Sequence, residues 1–299
     1  MRDDVRDWLA RRCYEPAELP ASTELTRGDQ SVCLVIPTLQ EAATIAGVVA
    51  AVFADPACAA LLGEVVVIDG GSTDGTPELA TAAGARVLHA SDIAPDHPVG
   101  GKGGAVWRAL QETTADLLVL VDADLDPFDP SWVVSLVAPL LMDTGVHLVK
   151  AATERPLQIG EVLHPRSGGR VTELVAKPVL AALRPELSGF AQPLSGELAA
   201  RRSLLERLPF ATGYGLEIGM LMDAHSLVGL DGLAQVRLGE RRHRHHGDLE
   251  LGQMASAVLR TALSRAGLSD LPDTLLQTTA LGLVESTVPL LDLPPLVPA

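Results

Sequence analysis

Three short apolar segments of this chain are each followed directly by a polar loop. They cover residues 32–36, 64–68 and 117–121, and segments with a helical pattern separate them. Strands that are apolar on both faces are typical of parallel sheets covered by helices on both sides. In such sheets, ligands bind beyond the carboxyl ends of the strands. The sequence therefore predicts an α/β fold with a mostly parallel, Rossmann-like sheet and a ligand site at that edge.

The three loops after these segments carry carboxylates, glycines and hydroxyls. They read PTLQE at 37–41, DGGSTDGT at 69–76 and DAD at 122–124. On an ideal strand, Asp122 and Asp124 share a face and reach one cleft. Mg²⁺ and Mn²⁺ favour such carboxylate oxygens, often together with phosphate oxygens. The motif alone also fits a strand end capped by two solvated aspartates.

Two further segments suit anionic ligands. Lys102 lies among four glycines at 100–104, before a helical pattern, although the spacing of a P-loop is absent. Gly169 and Arg170 precede Val171 and Thr172, where free backbone N–H groups at a helix start and a guanidinium would form an oxyanion pocket. A flexible exposed turn and an ordinary helix start are the respective alternatives.

The basic run at 241–246 contains a candidate third ligand. His243 is the candidate that would complete a metal site begun by Asp124, because imidazole is a common ligand of Mn²⁺-like ions. Taken alone, the run favours a solvated basic cluster. Glu217, near the start of a helical pattern, is by itself an ordinary surface residue.

Composition narrows the function classes. The 299 residues carry a formal net charge of −15, which argues against nucleic acid or an anionic membrane as the main partner. The first residues are charged, and no apolar stretch of about 18 residues occurs, so we expect a cytoplasmic protein without a membrane span. We divide the chain into an extension (1–30), a catalytic domain (31–265, with halves 31–150 and 151–265) and a tail (266–299). From Asp248 on, we expect the chain to be helical and to end at prolines.

Taken together, these segments resemble the glucosyl-3-phosphoglycerate synthases, retaining glycosyltransferases of GT-A fold, over roughly residues 30–265. The most specific segments are GRVTEL at 169–174, PLSGE at 193–197 and GYGLEIG at 213–219. The sequence departs from the family pattern at Gln40 (usually Asn), Gly70 (commonly Ser) and His245 (commonly Asn). The substitutions at positions 70 and 245 are expected to alter donor or acceptor affinity without abolishing the reaction.

The resemblance implies transfer of glucose from UDP-glucose to the 2-hydroxyl of 3-phosphoglycerate, with Mg²⁺ or Mn²⁺ as cofactor. It assigns uridine, ribose or the adjacent phosphate to Pro37, Thr38, Leu39, Gln40, Glu41, Gly70, Lys102, Asp122 and Ala123. It assigns the glucose and diphosphate to Leu194, Tyr214, Glu217 and Arg241. It assigns the metal to Asp124 and His243, and the acceptor to Gly169, Arg170, Val171, Thr172 and His245.

The chemistry of these groups suggests roles. Lys102 or Arg241 would stabilise the negative charge of the departing UDP. We favour same-face attack with Glu217 binding sugar hydroxyls, and a covalent intermediate on Glu217 is the alternative. The family also implies a homodimer. Mannosyl transfer from GDP-mannose, or a non-catalytic module that binds nucleotide sugars, are the rival functions.

Overall fold

An eight-stranded sheet passes through the middle of the molecule in the computed structural model. The structure describes residues 2–22, 24–98, 100–154, 157–159, 162–164, 169–240, 247–280 and 282–297. The strands are β1 (Cys13–Tyr14), β2 (Val32–Thr38), β3 (Glu64–Asp69), β4 (Arg86–His89), β5 (Leu117–Leu120), β6 (Leu148–Glu154), β7 (Leu157–Ile159), β8 (Val162–His164), β9 (Leu198–Arg201), β10 (Phe210–Ala211), β11 (Leu233–Glu240), β12 (Thr274–Thr279), β13 (Gly282–Thr287) and β14 (Asp292–Leu293).

Helices cover both faces of this sheet. They are α1 (Asp3–Arg12), α2 (Ile45–Ala54), α3 (Pro56–Leu61), α4 (Thr76–Ala82), α5 (Gly101–Glu112), α6 (Ser131–Met142), α7 (Lys177–Leu183), α8 (Arg202–Leu205), α9 (Leu216–Val228) and α10 (Asp248–Arg265). None of the helices in the described ranges is both long enough and apolar enough to cross a membrane.

The strand order is β1-β11-β6-β9-β5-β2-β3-β4, and all neighbours are parallel except those of β9. In β2, Cys33 and Val35 belong to the apolar core on one face, whereas Leu34 and Ile36 belong to the core on the other. Such alternation requires apolar residues at every position of the strand. The predicted mostly parallel α/β sheet is therefore confirmed.

The register of the strands fixes which loops meet at the carboxyl edge. Thr38 pairs with Asp69 at the ends of β2 and β3. Leu120 at the end of β5 pairs with Leu198 at the start of the antiparallel β9. The turn before β9 therefore lies at the same edge as the loops after β2, β3 and β5.

The end of the chain agrees with the prediction only in part. The chain is helical from Asp248 to Arg265 in α10, but after it β12 and β13 form an antiparallel hairpin, and β14 pairs with β10. In both hairpin strands, exposed residues alternate with half-buried ones along most of the length, as expected for a ribbon packed on one side. The division of the chain into domains stays a prediction.

Candidate active site

The loops after β2 and β3 are joined by a dense set of hydrogen bonds, and we call residues 38–42 and 69–76 the paired loops. Asp69 is 2% exposed, and its carboxylate accepts hydrogen bonds from the backbone N–H groups of Gly71 (3.0 Å) and Ser72 (2.9 Å). It also accepts one from the hydroxyl of Thr38 (3.3 Å). Because charge-assisted bonds of this kind are strong, Asp69 fixes the start of the second loop against the first.

Gln40 joins the paired loops a second time. Its φ of 59° lies in the left-handed region, which non-glycine residues rarely adopt. The side-chain amide accepts from the backbone N–H of Thr73 (2.9 Å) and donates to the Thr73 hydroxyl (3.1 Å). The backbone N–H of Gln40 donates to the hydroxyl of Ser72 at 2.8 Å. These bonds offset the cost of the strained backbone, so the first loop has a defined shape.

The Asp-x-Asp segment lies just beyond its strand. Strand β5 ends at Leu120, and Ala123 and Asp124 lie in a turn. The expectation that Asp122 and Asp124 share a strand face is therefore wrong, because extended geometry stops before them. Both carboxylates are half-buried at the carboxyl edge, and Ala123 between them is buried.

Lys102 brings two predicted site residues together. Its ammonium contacts a carboxylate oxygen of Asp122 and lies 3.1 Å from a carboxylate oxygen of Glu217. Burial alone lowers the pKa of Lys102, but attraction to Asp122 and Glu217 outweighs it and raises the pKa above its ordinary value. Lys102 is therefore charged at neutral pH, and one cation joins two acidic side chains from distant segments.

Gly196 packs directly against the charged groups of this cluster. A Cβ atom on Gly196 would lie 2.1 Å from the Lys102 ammonium and 2.7 Å from both carboxylate oxygens of Asp122. Buried hydrogen bonds hold the turn that carries Gly196. The carboxylate of the buried Glu197 accepts one from the Ser195 hydroxyl at 2.8 Å. The ammonium of the buried Lys150 donates to the Ser195 carbonyl at 2.8 Å.

The sequence analysis did not identify Ser195, Gly196 and Glu197 as residues that shape the site. The segment that contains Ser195, Gly196 and Glu197 is prominent in the sequence, but only Leu194 from it is a predicted site residue. Leu194 is half-buried and packs against the core. The adjacent glycine and glutamate at 196–197 were the available signal in the sequence. Their importance becomes clear only in the structure, where β9 lies beside β5 and Glu197 is fully buried.

Close backbone approach brings the starts of α5 and α9 together. A Cβ atom on Gly103 would lie 2.1 Å from the Ala211 carbonyl oxygen, and the N–H of Gly213 donates to the Gly100 carbonyl at 3.1 Å. Lys102 lies in the first turn of α5, and Glu217 in the first turn of α9. The two glycine-rich segments therefore determine the distance between Lys102 and Glu217.

The predicted acceptor segment begins a helix with an unusual first part. Gly169 has a φ of 78°, and residues 172–176 form a π-helical turn, a feature often found at functional sites. Val171 and Thr172 are buried, whereas the exposed Arg170 pairs with the exposed Asp248 at 3.1 Å. Tyr214 is 45% exposed.

Three predicted site residues, Arg241, His243 and His245, lie outside the described residues. Within the described ranges, no group of three or more His, Cys, Asp or Glu side chains is arranged to hold a metal ion. Of the two predicted metal ligands, Asp124 lies within the described residues, half-buried just beyond the end of β5. Its oxygen atoms fit a hard divalent ion.

Known proteins share both the sequence and the architecture. A family model described as glycosyl transferase family 2 matches residues 33–154. The glucosyl-3-phosphoglycerate synthase of Mycolicibacterium paratuberculosis is 46% identical over 279 residues, which cover 90% of this chain and 84% of the relative. The synthase of Petrotoga mobilis is 37% identical over 271 residues, covering 87% and 82% respectively.

The chain belongs to the glucosyl-3-phosphoglycerate synthase family. The crystal structure of the Mycobacterium tuberculosis synthase with Mn²⁺, UDP-glucose and phosphoglyceric acid matches with a TM-score of 0.83 and 44% identity, covering 93% of this chain and 94% of that chain. The predicted family, GT-A fold and class of enzyme, a glycosyltransferase, are confirmed. In this chain the cluster around Lys102 lies at the carboxyl edge of the sheet, where α/β folds of this kind bind their ligands.

Proposed function

We propose that this chain transfers glucose from UDP-glucose to the 2-hydroxyl of 3-phosphoglycerate, with retention of the α configuration and with a divalent cation as cofactor. The observation that carries the proposal is the Lys102 ammonium held between Asp122 and Glu217 beside the paired loops. The relative from M. tuberculosis has been crystallised with UDP-glucose and phosphoglyceric acid together. It has also been crystallised with UDP and glucosyl-3-phosphoglycerate, at a TM-score of 0.81 to this chain.

The paired loops would bind the uridine end of the donor. Their hydrogen bonds fix the backbone around Thr38 and Gln40 before the donor arrives, which reduces the ordering cost of binding. Leu39 leaves 56% of its surface exposed between these residues, so an apolar side chain is available to a nucleobase or ribose. The proposed donor residues in this part are Pro37, Thr38, Leu39, Gln40, Glu41, Gly70, Asp122 and Ala123.

The departing UDP gains negative charge, and the chain must stabilise it. Lys102 supplies a fixed ammonium at the start of α5, where free backbone N–H groups also favour anions. Arg241 is the second proposed cation. A divalent ion held by Asp124 and His243 would add Lewis-acid stabilisation of the leaving group when bound.

Glu217 is proposed to bind sugar hydroxyls rather than to attack the sugar. Its carboxylate is 3.1 Å from the Lys102 ammonium and its side chain is only 13% exposed, so its charge is already partly neutralised. A carboxylate tied to a cation is a poorer nucleophile than a free one. Leu194 and Tyr214 are proposed to line the same sugar site, and attack by the acceptor from the face of the departing phosphate accounts for retention.

The acceptor would bind at the start of the π-helical turn. Gly169, Arg170, Val171 and Thr172 offer backbone N–H groups and one guanidinium to a molecule that carries several negative charges. Arg170 pairs with an exposed carboxylate in this structure, a contact that is weak in water and readily exchanged for a phosphate. His245 is proposed to lie beside it. A homodimer and a cytoplasmic location also stay proposals.

The test of the reaction is UDP release from purified protein given UDP-glucose, 3-phosphoglycerate and Mn²⁺ or Mg²⁺. We expect release that requires the acceptor, with the product identified by its mass. Release of GDP from GDP-mannose, without release of UDP from UDP-glucose, would move the assignment to the mannosyl enzyme. UDP binding without turnover would indicate a non-catalytic module.

The role of Glu217 is tested separately with Glu217→Gln. This variant keeps the shape of the side chain, and we expect weaker donor binding with residual turnover. Trapping of a glucosyl adduct on Glu217 in the unmodified protein, detected by mass spectrometry, would contradict same-face attack.

A further inference from the structure

The C-terminal segment 288–297, which we call the C-terminal strap, returns to the part of the molecule that supports the site. Its strand β14 pairs with β10, joining Leu293 to Phe210 and Asp292 to Ala211. The Leu293 side chain is 3% exposed and belongs to the apolar core. The strap is therefore a packed part of the fold.

Backbone carbonyls attach the strap and its surroundings to α5 and to the end of α8. The indole N–H of Trp107 on α5 donates to the Pro294 carbonyl at 2.8 Å. The backbone N–H groups of Leu296 and Val297 both donate to the Glu206 carbonyl, at 2.8 and 3.1 Å. These bonds fix the C-terminal half of the strap relative to α5 and to Glu206.

An ion-pair chain attaches the strap to α9 and α10. Both terminal nitrogens of Arg265 on α10 contact the carboxylate of Asp292, at 2.6 and 3.0 Å. The third guanidinium nitrogen donates to Asp223 on α9 at 2.8 Å. The Arg265 side chain is only 10% exposed, so solvent screens this network little.

The two-residue strand β10 and the residues after it contact both the strap and the start of α5. The N–H and hydroxyl of Thr212 donate to the Leu291 carbonyl, at 2.8 and 3.1 Å. The same Thr212 side chain lies against Gly100, where a Cβ atom would be 2.5 Å from its methyl group. The junction at 210–213 is thus held between the strap and the segment that carries Lys102.

We propose that the C-terminal strap positions Lys102 relative to Glu217. The junction that it holds leads directly into α9, whose first turn carries Glu217, and it contacts the first turn of α5, which carries Lys102. A shift of this junction changes the distance between the ammonium and the carboxylate, while the paired loops, which follow β2 and β3, keep their own hydrogen bonds. The kinetic part of this inference rests on the proposed function.

Two tryptophans provide a matched test. Trp107 and Trp8 are both buried, and the indole N–H of each donates to a backbone carbonyl at 2.8 Å. The partner of Trp8 is Leu233, at the opposite end of the sheet from the site. Trp107→Phe and Trp8→Phe therefore remove the same kind of bond and leave a similar gap, but only the first releases the strap.

We expect similar small decreases of Tm in the two variants. Turnover is to be measured where both are fully folded, and a displacement of about 1 Å can cost about a hundredfold in rate. We expect kcat of Trp107→Phe to fall about tenfold, with the Kd for UDP unchanged, and kcat of Trp8→Phe to stay near that of the unmodified enzyme. Asp292→Asn, which weakens the ion-pair chain instead, is expected to act like Trp107→Phe.

A second readout does not depend on the reaction. Hydrogen exchange at residues 100–104 and 211–217 is expected to accelerate in Trp107→Phe and Asp292→Asn but not in Trp8→Phe. Equal exchange and equal kcat in all three variants would overturn the role of the strap. If the unmodified protein shows no turnover with the proposed substrates, the proposed function fails, whereas the exchange comparison still decides whether the strap holds these segments.

Discussion

Gly196→Ala isolates the contact between the turn before β9 and the charged cluster. The added Cβ atom would lie 2.1 Å from the Lys102 ammonium nitrogen and 2.7 Å from both carboxylate oxygens of Asp122. Carbon and nitrogen atoms that are not bonded normally stay about 3.5 Å apart. The ammonium must therefore move by more than 1 Å, or about 1.4 Å along the line of contact.

The size of the effect follows from what this movement disturbs. Lys102 has a flexible side chain, so the folded state relaxes and we expect a stability loss of about 1–2 kcal/mol. The proposed catalytic role of Lys102 allows no such freedom, because it requires the ammonium to stay near both Glu217 and the leaving group. A misplacement of about 1 Å corresponds to about a hundredfold loss in kcat, or about 2.7 kcal/mol of transition-state stabilisation.

The assay compares kcat, KM and Tm with those of Gly47→Ala. Gly47 lies in α2, and a Cβ atom there meets no atom within 4 Å. That control is expected to gain up to about 1 kcal/mol of stability with unchanged activity, because alanine is a better helix former. In a Lys102→Ala background, most of the further cost of Gly196→Ala should vanish.

Retention of more than half of the activity in Gly196→Ala would refute this reasoning, since it would mean that the cluster tolerates a large displacement. An equal loss in Gly47→Ala would indicate a general effect of added methyl groups rather than a contact at the site.

Two other predictions concern the remainder of the fold. Arg108 is fully buried and donates to backbone carbonyls of the segment that leads to Lys102, including those of Ile93 (2.7 Å) and His97 (2.6 Å). Arg108→Met should therefore lower the free energy of unfolding, measured in urea, by more than about 3 kcal/mol. As a control, Arg86→Gln removes an exposed arginine and should lower the free energy of unfolding by less than about 1 kcal/mol. Equal losses of stability in the two variants would contradict the role of the carbonyl contacts of Arg108. Burial raises the pKa of Cys33 and of Cys58 to about 12, so at pH 8 a thiol reagent should modify Cys13 alone until the protein unfolds. The thiols of the unfolded chain lose their protons at about pH 9, whereas Cys33 and Cys58 in the folded chain keep theirs up to about 12. The free energy of unfolding should therefore fall as pH rises between these two values. Rapid labelling of all three thiols in the folded protein would contradict the shielding of Cys33 and Cys58.

The central sheet was predictable because its strands are buried on both faces. An apolar run such as 64–68 satisfies that requirement locally, and β3 has nearly the predicted bounds. Parallel pairing then places the following loops at one edge without any long-range information. The paired loops and the Asp-x-Asp segment were found for this reason.

The antiparallel strand and the tail were not predictable in the same way. Strand β9 has four residues and reads Leu-Ala-Ala-Arg, which does not distinguish a strand from a helix. Its insertion between β5 and β6 brings Gly196 against Lys102, and nothing in the sequence near either residue specifies that contact. In the tail, strand β12 is mostly polar and strand β14 has only two residues, and their partners determine their conformation.

The specificity of the segment at 213–219 also has a physical basis in packing. A Cβ atom on Gly215 would lie 2.1 Å from the hydroxyl of Thr261 on α10, and one on Gly219 would lie 3.1 Å from its methyl group. Both glycines therefore permit α10 to pack closely on α9, whose first turn carries Glu217. The segment combines one acidic side chain that is proposed to contact the sugar with two glycines that determine where that side chain is placed. The segment is therefore constrained by its proposed chemistry at one position and by helix packing at two others.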